Sequence, residues 1–200
     1  MRVSSHIRKQ GGVCVTRTTK ETSVTVEIAL TGGGIHVETG IGFFDHMLTA
    51  LAFHAGFGLN VRAEGDLTVD GHHTVEDVGI VLGQAFREAL GGGAGIERFG
   101  HACIPMDESL GFAAVDVGGR AFLQFDAPVP DVMLGGYDAS LSKEFFRAFC
   151  HNASVALHLR VTGENAHHMT EALYKACGVA LRHACAPRDA AGVASTKGVL

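Results

Sequence analysis

The chain has 200 residues, 46% of them hydrophobic and 18% charged, which is enough for one sizeable core or for two small domains that share one. Its formal net charge of -5 and the lack of a basic cluster argue against nucleic acid as a partner. No apolar run approaches the roughly 20 residues of a membrane-spanning helix, and the first residues lack a secretory signal, so we expect a cytoplasmic protein that binds no membrane.

The first half of the chain alternates patterns typical of strands and helices. Period-two alternation of apolar and polar residues marks each strand, and apolar residues three and four positions apart mark each helix. The run Gly32-Gly33-Gly34 predicts a hairpin turn between the second and third strands. The predicted elements are strands over 13–17, 23–30 and 35–38, a helix within 40–57, a strand over 59–64 and a helix over about 72–90.

The second half repeats this order. Its predicted elements are strands over 100–104, 112–117 and 121–125, a loop over 128–137, a helix over about 141–154, a strand over 155–161 and a helix over about 167–186. The remaining residues, 187–200, are rich in alanine and glycine and are expected to form an irregular tail.

An internal duplication relates the two halves. The run His72-His73-Thr74-Val75-Glu76 recurs ninety-five positions later as His167-His168-Met169-Thr170-Glu171. An Arg-x-x-Gly sequence recurs with an offset of ninety-eight positions, at Arg62 and Arg160. Repeats of this length determine the architecture, so the duplication has to be identified before a fold is assigned. We expect a first repeat over 1–95, a second over 96–186 and a tail over 187–200, with the two repeats forming one compact unit.

The repeated HHxxE sequence predicts metal binding. At the start of a helix, His72 and Glu76 lie on one face, whereas the adjacent His73 projects about 100° away. One unit therefore offers a His-Glu pair to one ion and its other histidine to a second ion. The duplication also places His46 onto Glu144, which adds one ligand to each set. The predicted sets are His46, His73, His167 and Glu171 for one ion, and Glu144, His168, His72 and Glu76 for the other.

The chemistry of these donors narrows the choice of metal. Nitrogen and oxygen ligands without thiolate suit Mn²⁺, Fe²⁺ or Zn²⁺. The five cysteines show no CxxC spacing and are expected to be reduced and uninvolved. Four protein ligands leave an octahedral ion two open positions, and open positions distinguish a catalytic site from a structural one. No HExxH sequence occurs, which disfavours a metallopeptidase.

Further unusual motifs cover the chain from about Arg17 to its C-terminus. They are Lys20-Glu21-Thr22, Phe44-Asp45-His46-Met47-Leu48, Asp70-Gly71-His72-His73-Thr74-Val75-Glu76-Asp77, Arg98-Phe99-Gly100, Met106-Asp107-Glu108, Gly118-Gly119-Arg120 and Gly163-Glu164-Asn165-Ala166-His167-His168. In this order and spacing, the motifs resemble those of the imidazoleglycerol-phosphate dehydratases of histidine biosynthesis.

The resemblance implies an α+β fold of two similar halves, each a four-stranded sheet with two helices packed on one face, as in the second domain of ribosomal protein S5. It also implies self-association into trimers grouped as a 24-subunit shell, with two Mn²⁺ per active site bound at subunit interfaces. Many family members carry His at the position of Glu144. A carboxylate can still bind Mn²⁺, so this site should be harder and more anionic.

The resemblance further implies an activity: dehydration of D-erythro-imidazole glycerol phosphate, a small phosphorylated imidazole, to imidazole acetol phosphate. Metal ions on the ring nitrogens favour the imidazolate, whose electrons can expel the neighbouring hydroxyl. Likeness to the family makes Glu21 a substrate-binding or proton-transfer carboxylate and places His54 near the substrate. The implied catalytic residues are Glu21, His73 and Glu171, and the implied phosphate-binding residues are Arg98, Arg120, Lys175, Ser195 and Lys197.

Two other functions would use the same metal ligands. A non-catalytic, metal-binding shell protein has no need of a phosphate pocket, so the presence of Glu21 and the basic residues Arg98, Arg120, Lys175 and Lys197 favours an enzyme. A di-metal phosphatase would use the same metals and basic residues but attack the phosphate. Release of inorganic phosphate, as opposed to formation of a ketone, separates a phosphatase from a dehydratase.

Overall fold

The computed structural model describes residues 3–9, 12–189 and 192–198. Its first half contains β1 (Val3–Lys9), β2 (Gly12–Thr18), β3 (Thr22–Ala29), β4 (Gly32–Glu38), α1 (Gly42–Ala55), β5 (Phe57–Gly65) and α2 (His72–Leu90). Its second half contains β6 (Phe99–Met106), β7 (Ser109–Asp116), β8 (Phe122–Asp126), β9 (Met133–Leu134), β10 (Tyr137–Asp138), α3 (Leu141–Ala153), β11 (Ala156–Thr162) and α4 (Ala166–Ala184). The predicted irregular tail includes positions 190–191 and 199–200, which lie outside the described residues.

Two sheets of matching strand order confirm the predicted α+β duplication. The first contains the order β2-β3-β5-β4 and the second the order β6-β7-β11-β8. In each, the last two strands of the order are parallel and the others antiparallel. The first sheet has one addition that was not predicted, since β1 pairs with β2 and extends it to five strands.

The predicted hairpin at Gly32-Gly33-Gly34 is wrong. β4 does not return beside β3 but lies on the far side of β5 and pairs with it in parallel, with α1 as the crossover that a parallel connection requires. Gly33 has a φ of +112°, and a Cβ there would lie 2.9 Å from Gly58 Cα, so only glycine lets the chain pass the start of β5 this closely. The predicted loop at 128–137 contains β9 and the start of β10, which form a short antiparallel pair.

The helices of the two halves pack against each other. α1 contacts α4 and α2 contacts α3, while α2 also lies on the first sheet and α4 on the second, so the four helices form a layer between the sheets. Gly83 and Gly178 occupy matching points of these contacts. A Cβ on Gly83 would lie 2.6 Å from the Phe149 carbonyl oxygen, and one on Gly178 would lie 2.4 Å from that of Leu51. Of the helices described, none has the length and apolar character needed to cross a membrane.

Buried aromatic rings fix the positions at which α1 and α3 begin. The Phe44 ring stacks on that of Tyr137 at 5.6 Å and meets Phe145 edge-on at 5.4 Å. All three rings are fully buried, and burial raises the pKa of Tyr137 to about 12. His46 lies two residues after Phe44, and Glu144 directly precedes Phe145. The core therefore positions His46 and Glu144, the two predicted metal ligands that the duplication relates to each other.

Candidate active site

A histidine from α1 converges with a histidine and a glutamate from α4. His167 Nε2 lies 3.1 Å from Glu171 Oε2, and His46 Nε2 lies 3.5 Å from the same oxygen. Among the described residues, these side chains form the one group of three or more His, Cys, Asp and Glu whose ligand atoms all lie within 4.8 Å of one another. The α1–α4 contact and the i, i+4 spacing on α4 produce this geometry. Two imidazoles and a carboxylate suit a divalent ion such as Mn²⁺.

Glu171 is held in its charged form at the centre of this group. Its side chain is 9% exposed, and its second oxygen, Oε1, lies 2.7 Å from Lys175 Nζ. Burial opposes ionisation, but the hydrogen bond from Lys175, together with the charges of Lys175 and His46, outweighs burial and lowers the pKa of Glu171. A metal-binding carboxylate must be deprotonated. Glu171 therefore presents one oxygen to the two histidines and gives the other to Lys175.

The second histidine of each HHxxE unit is bound by a carboxylate from outside its helix. His73 Nδ1 lies 3.0 Å from Asp66 Oδ2, and His168 Nδ1 lies 2.8 Å from Glu108 Oε2. These hydrogen bonds raise the pKa of both histidines. A carboxylate on Nδ1 fixes the ring and leaves Nε2 as the atom that can bind a metal. His73 is not part of the group around Glu171, so a single chain brings together three of the four residues predicted for the first ion.

The second predicted set is not brought together within one chain. His72 and Glu76 lie at the start of α2 and Glu144 at the start of α3, two helices that pack against each other. This relation matches that of His46 to α4, but Glu144 Oε2 instead binds Arg147 Nη1 at 2.8 Å. The fourth member, His168, lies with Glu108 as described above.

Three of the predicted phosphate-binding residues meet where the tail returns to the second sheet. Arg98 Nε and Nη2 donate to the two carboxylate oxygens of Asp116 at 2.7 and 3.0 Å, which raises the pKa of Arg98. Arg98 Nη1 donates to the Ala194 carbonyl oxygen at 2.8 Å. Ser195 therefore lies beside Arg98, and its Oγ accepts the backbone N–H of Lys197 at 3.2 Å.

The Arg98 region is distant from the chain's own Glu171 group. A Cβ on Gly118 would lie 2.6 Å from Arg98 Nη2, so the loop that leads to the exposed Arg120 passes over Arg98. The backbone N–H of Arg98 donates to the Ala184 carbonyl oxygen at the end of α4. At 1.5 Å per helical residue, Ala184 lies about 20 Å along α4 from Glu171. Most of the predicted phosphate-binding residues are thus not gathered around the group that includes Glu171.

Lys175 and His54 belong instead to a basic surface beside the Glu171 group. Burial is the main cause that lowers the pKa of His54, at the end of α1, and the charges of Lys175 and Arg182 lower it further. Arg182 was not predicted to contribute. Its spacing of seven residues from Lys175, two helical turns, places both on one face of α4 and was visible in the sequence.

Glu21 follows β2 in an exposed turn, close enough to His73 for its charge to raise the pKa of that histidine. Sequence analysis missed Asp66 and Asp116, the carboxylates that bind His73 and Arg98. Neither shares a helix or strand with its partner, so each pair meets only in the folded chain.

The fold and the site define a duplicated α+β protein in which imidazole and carboxylate side chains meet at the starts of helices. The model of the imidazoleglycerol-phosphate dehydratase family matches residues 39–181. The chain therefore belongs to the imidazoleglycerol-phosphate dehydratase family and is a hydro-lyase.

Relatives of known sequence and structure agree with this membership. The chain is 58% identical over 190 residues to the imidazoleglycerol-phosphate dehydratase of Acidiphilium cryptum, covering 93% of this chain and 97% of that one. It is 54% identical over 188 residues to that of Gluconobacter oxydans, covering 92% and 95%. The solved structure of the enzyme from Pyrococcus furiosus is 40% identical, with a TM-score of 0.78 and coverage of 92% and 99%. The Staphylococcus aureus structure is 39% identical, with a TM-score of 0.77 and coverage of 82% and 94%.

Proposed function

We propose that the chain dehydrates D-erythro-imidazole glycerol phosphate to imidazole acetol phosphate in histidine biosynthesis, using two Mn²⁺ per active site. Family membership supports the reaction. The observation that carries the metal requirement is the convergence of His46, His167 and Glu171. Fe²⁺ and Zn²⁺ would suit the same donors.

The imidazole and carboxylate donors of the chain are of the type that would suit two divalent ions. His46, His167 and Glu171 would hold one, with His73 as the fourth ligand. The second ion would be held by the counterparts of these residues in the duplication, namely Glu144, His72, Glu76 and His168. When bound, the ions supply Lewis acidity that stabilises the imidazolate form of the substrate ring. Lys175 would keep the Glu171 carboxylate oriented and place a positive charge near the phosphate.

The reaction needs a group that moves a proton. The hydroxyl next to the ring leaves as water, a proton is lost from the neighbouring carbon, and the resulting enol becomes the ketone by a proton shift. We assign the proton transfer to Glu21, which is exposed to solvent and lies close enough to His73 to affect its pKa. A group in this role has to come within hydrogen-bond reach of the proton that it takes.

Each active site is, in this proposal, completed by other copies of the chain. His73 lies outside the Glu171 group, and the Arg98 region is about 20 Å from Glu171 along α4, farther than a small phosphorylated imidazole can reach. Trimers grouped as a 24-subunit shell would let one copy supply what another lacks. Large exposed apolar side chains support self-association, since Phe53 is 70% exposed and Met133 62%.

The reaction is tested by incubating purified, Mn²⁺-loaded protein with imidazole glycerol phosphate and measuring both the ketone and inorganic phosphate. We expect ketone without phosphate. Phosphate without ketone would identify a di-metal phosphatase, and bound metal without turnover would identify a metal-binding shell protein.

Metal analysis of variants tests the two ligand sets. We expect His72→Ala and His168→Ala each to lose the second metal selectively, because both belong to the set that includes Glu144. Glu144→His should retain both metals, since imidazole replaces carboxylate as a donor. Equal loss of metal from all three variants contradicts the grouping.

Sharing of the site between copies is tested by complementation. His73→Ala and Glu171→Gln should each be inactive alone, but chains of the two variants co-expressed in one oligomer should recover part of the activity. Recovery is expected because some sites would combine an intact His73 from one copy with an intact Glu171 from another. The matched control is His167→Ala with Glu171→Gln, which damages the same group in every chain and should give no recovery. If the first mixture is as inactive as the control, the sites are not shared in this way.

A further inference from the structure

The turn before β3 and the turn before β7 are equivalent parts of the duplication. Thr22 begins β3 opposite Gly65, and Ser109 begins β7 in contact with Gly163. Gly65 and Gly163 are separated by the same ninety-eight positions that relate the surrounding strands. The residues that precede Thr22 and Ser109, namely Glu21 and Glu108, are therefore counterparts.

Glu108 is fully engaged in hydrogen bonds. Its Oε1 accepts the hydroxyl of Ser109 at 2.8 Å and the backbone N–H of Asn165 at 2.9 Å. Its Oε2 binds His168 Nδ1 at 2.8 Å. The bond to His168 and the others lower the pKa of Glu108. A carboxylate whose two oxygens are both hydrogen-bonded and whose pKa is lowered orients His168 and is poorly suited to take a proton from a substrate.

Glu21 differs from Glu108, although hydrogen bonds also close its turn. The Thr19 hydroxyl accepts the backbone N–H groups of Glu21 and Thr22 at 3.1 and 3.0 Å, which closes the turn. Within the part of the chain that the structure describes, however, the Glu21 carboxylate accepts no hydrogen bond. The hydroxyl of Thr22, the counterpart of Ser109, does not turn back to Glu21 but donates to Asp77 Oδ2.

Asp77 is what distinguishes the two turns. It lies one helical turn after His73 on α2, is 8% exposed, and is also bound by Arg17 Nη1 from β2. The equivalent residue of α4 is Ala172, which offers no acceptor. Without an acceptor on α4, Ser109 donates to Glu108 instead.

We propose that Asp77 is a positioning residue for the dehydration. It accepts a hydrogen bond from the Thr22 hydroxyl, holds the turn of residues 19–22 against α2, and so fixes the position of the neighbouring Glu21, whose carboxylate accepts no hydrogen bond from the described residues. Arg17 neutralises Asp77, which would otherwise be a buried, unpaired charge. This inference rests on the proposed function and on the role of Glu21 within it.

A double-mutant cycle between Thr22→Val and Glu21→Gln tests the proposal in the metal-loaded oligomer. Thr22 is changed in preference to Asp77 because removing Asp77 would leave Arg17 buried without its partner. Thr22→Val should lower kcat about tenfold to a hundredfold, as expected for a displaced catalytic group, with KM changed less than about twofold. In the Glu21→Gln background the same change should lower kcat by less than about twofold, because the group that Thr22 positions is already gone.

Two further variants serve as controls for the cycle. Thr22→Ser keeps the hydroxyl and should restore most of the activity. Thr25→Val is the matched control, because it removes a hydroxyl from the same strand. The Thr25 hydroxyl lies 3.0 Å from Thr16 Oγ1 on the neighbouring strand and does not bond to α2. It should keep wild-type kcat.

Hydrogen–deuterium exchange gives a readout independent of turnover. Peptides that contain residues 19–22 should exchange faster in Thr22→Val than in Thr25→Val. The inference is overturned if Thr22→Val keeps wild-type kcat. It is also overturned if Thr22→Val lowers kcat by the same factor in the wild-type protein and in the Glu21→Gln variant. If Thr22→Val does not fold, Thr22→Ala takes its place in the cycle with the same expectations. A wild-type protein that makes no ketone would instead reject the proposed function itself.

Discussion

Gly178→Ala should separate α1 from α4 and weaken metal binding at the same time. A Cβ on Gly178 would lie 2.4 Å from the Leu51 carbonyl oxygen and 3.1 Å from the Ala55 nitrogen, both backbone atoms that no side-chain rotation can move. A normal contact requires the helices to part by about 1 Å. His46 follows α1 in this movement, whereas His167 and Glu171 stay on α4.

The expected loss of stability follows from two opposing contributions. Overpacking a close contact costs about 1–3 kcal/mol, and the rigid backbone partners place this site at the upper end. Replacing glycine by alanine within a helix returns about 1 kcal/mol. The net loss of about 2 kcal/mol corresponds to a fall of about 4–8 °C in Tm for a chain of this size. Because ligands must be held within about 0.5 Å, we expect Mn²⁺ affinity to fall at least tenfold.

Thermal unfolding and Mn²⁺ titration at one fixed protein concentration measure both effects. Gly42→Ala is the matched control, because Gly42 begins α1 and a Cβ there would meet nothing within 4 Å. Its Tm should be unchanged or slightly higher. A Gly178→Ala protein with the Tm and Mn²⁺ affinity of wild type would show that the close helix approach does not hold the ligands in place.

Three further outcomes are expected. His46→Ala should reduce bound Mn²⁺ by about tenfold or more at limiting metal, whereas His101→Ala, an exposed histidine with no assigned role, should not, as elemental analysis will show. Burial and the charge of Lys175 lower the pKa of His54 below its ordinary 6.5, so the unfolded chain binds a proton at His54 more readily than the folded chain does. Tm should therefore fall as the pH drops below 6.5. His54→Gln should make Tm less dependent on pH in this range. Lys197→Met should raise KM about tenfold with unchanged metal content if its ammonium binds the substrate phosphate, and an unaltered KM would exclude that role.

Periodicity predicted the elements well where a pattern was long. α2 begins and ends as predicted, and α4 within two residues, because their apolar residues recur over five turns and glycine or an irregular tail follows. The pairing of the strands was harder to predict from the sequence. The run Gly32-Gly33-Gly34 has the composition of a hairpin turn, but pairing depends on α1 carrying the chain across β5, which no local pattern encodes.

The candidate site shows the same division between local and long-range information. The duplication predicted that helix starts from both halves supply each ligand set, and the structure places His46 beside His167 and Glu171. His73 stays outside this group in a single chain, so its place in the first ligand set remains a prediction. Its partner, Asp66, comes from an irregular segment after β5.

The pairing of α1 with α4 and of α2 with α3 bears on how such a chain could have arisen. One repeat alone would expose the helix faces that now contact the other repeat, and it would carry only part of the group formed by His46, His167 and Glu171. A half-length ancestor could therefore have brought these three side chains together only as a dimer. Fusion of two copies made that encounter intramolecular, so that His46, His167 and Glu171 meet at a fixed local concentration however dilute the protein. It also freed the copies to diverge, and Glu21 and Glu108 now differ in how their carboxylates are engaged.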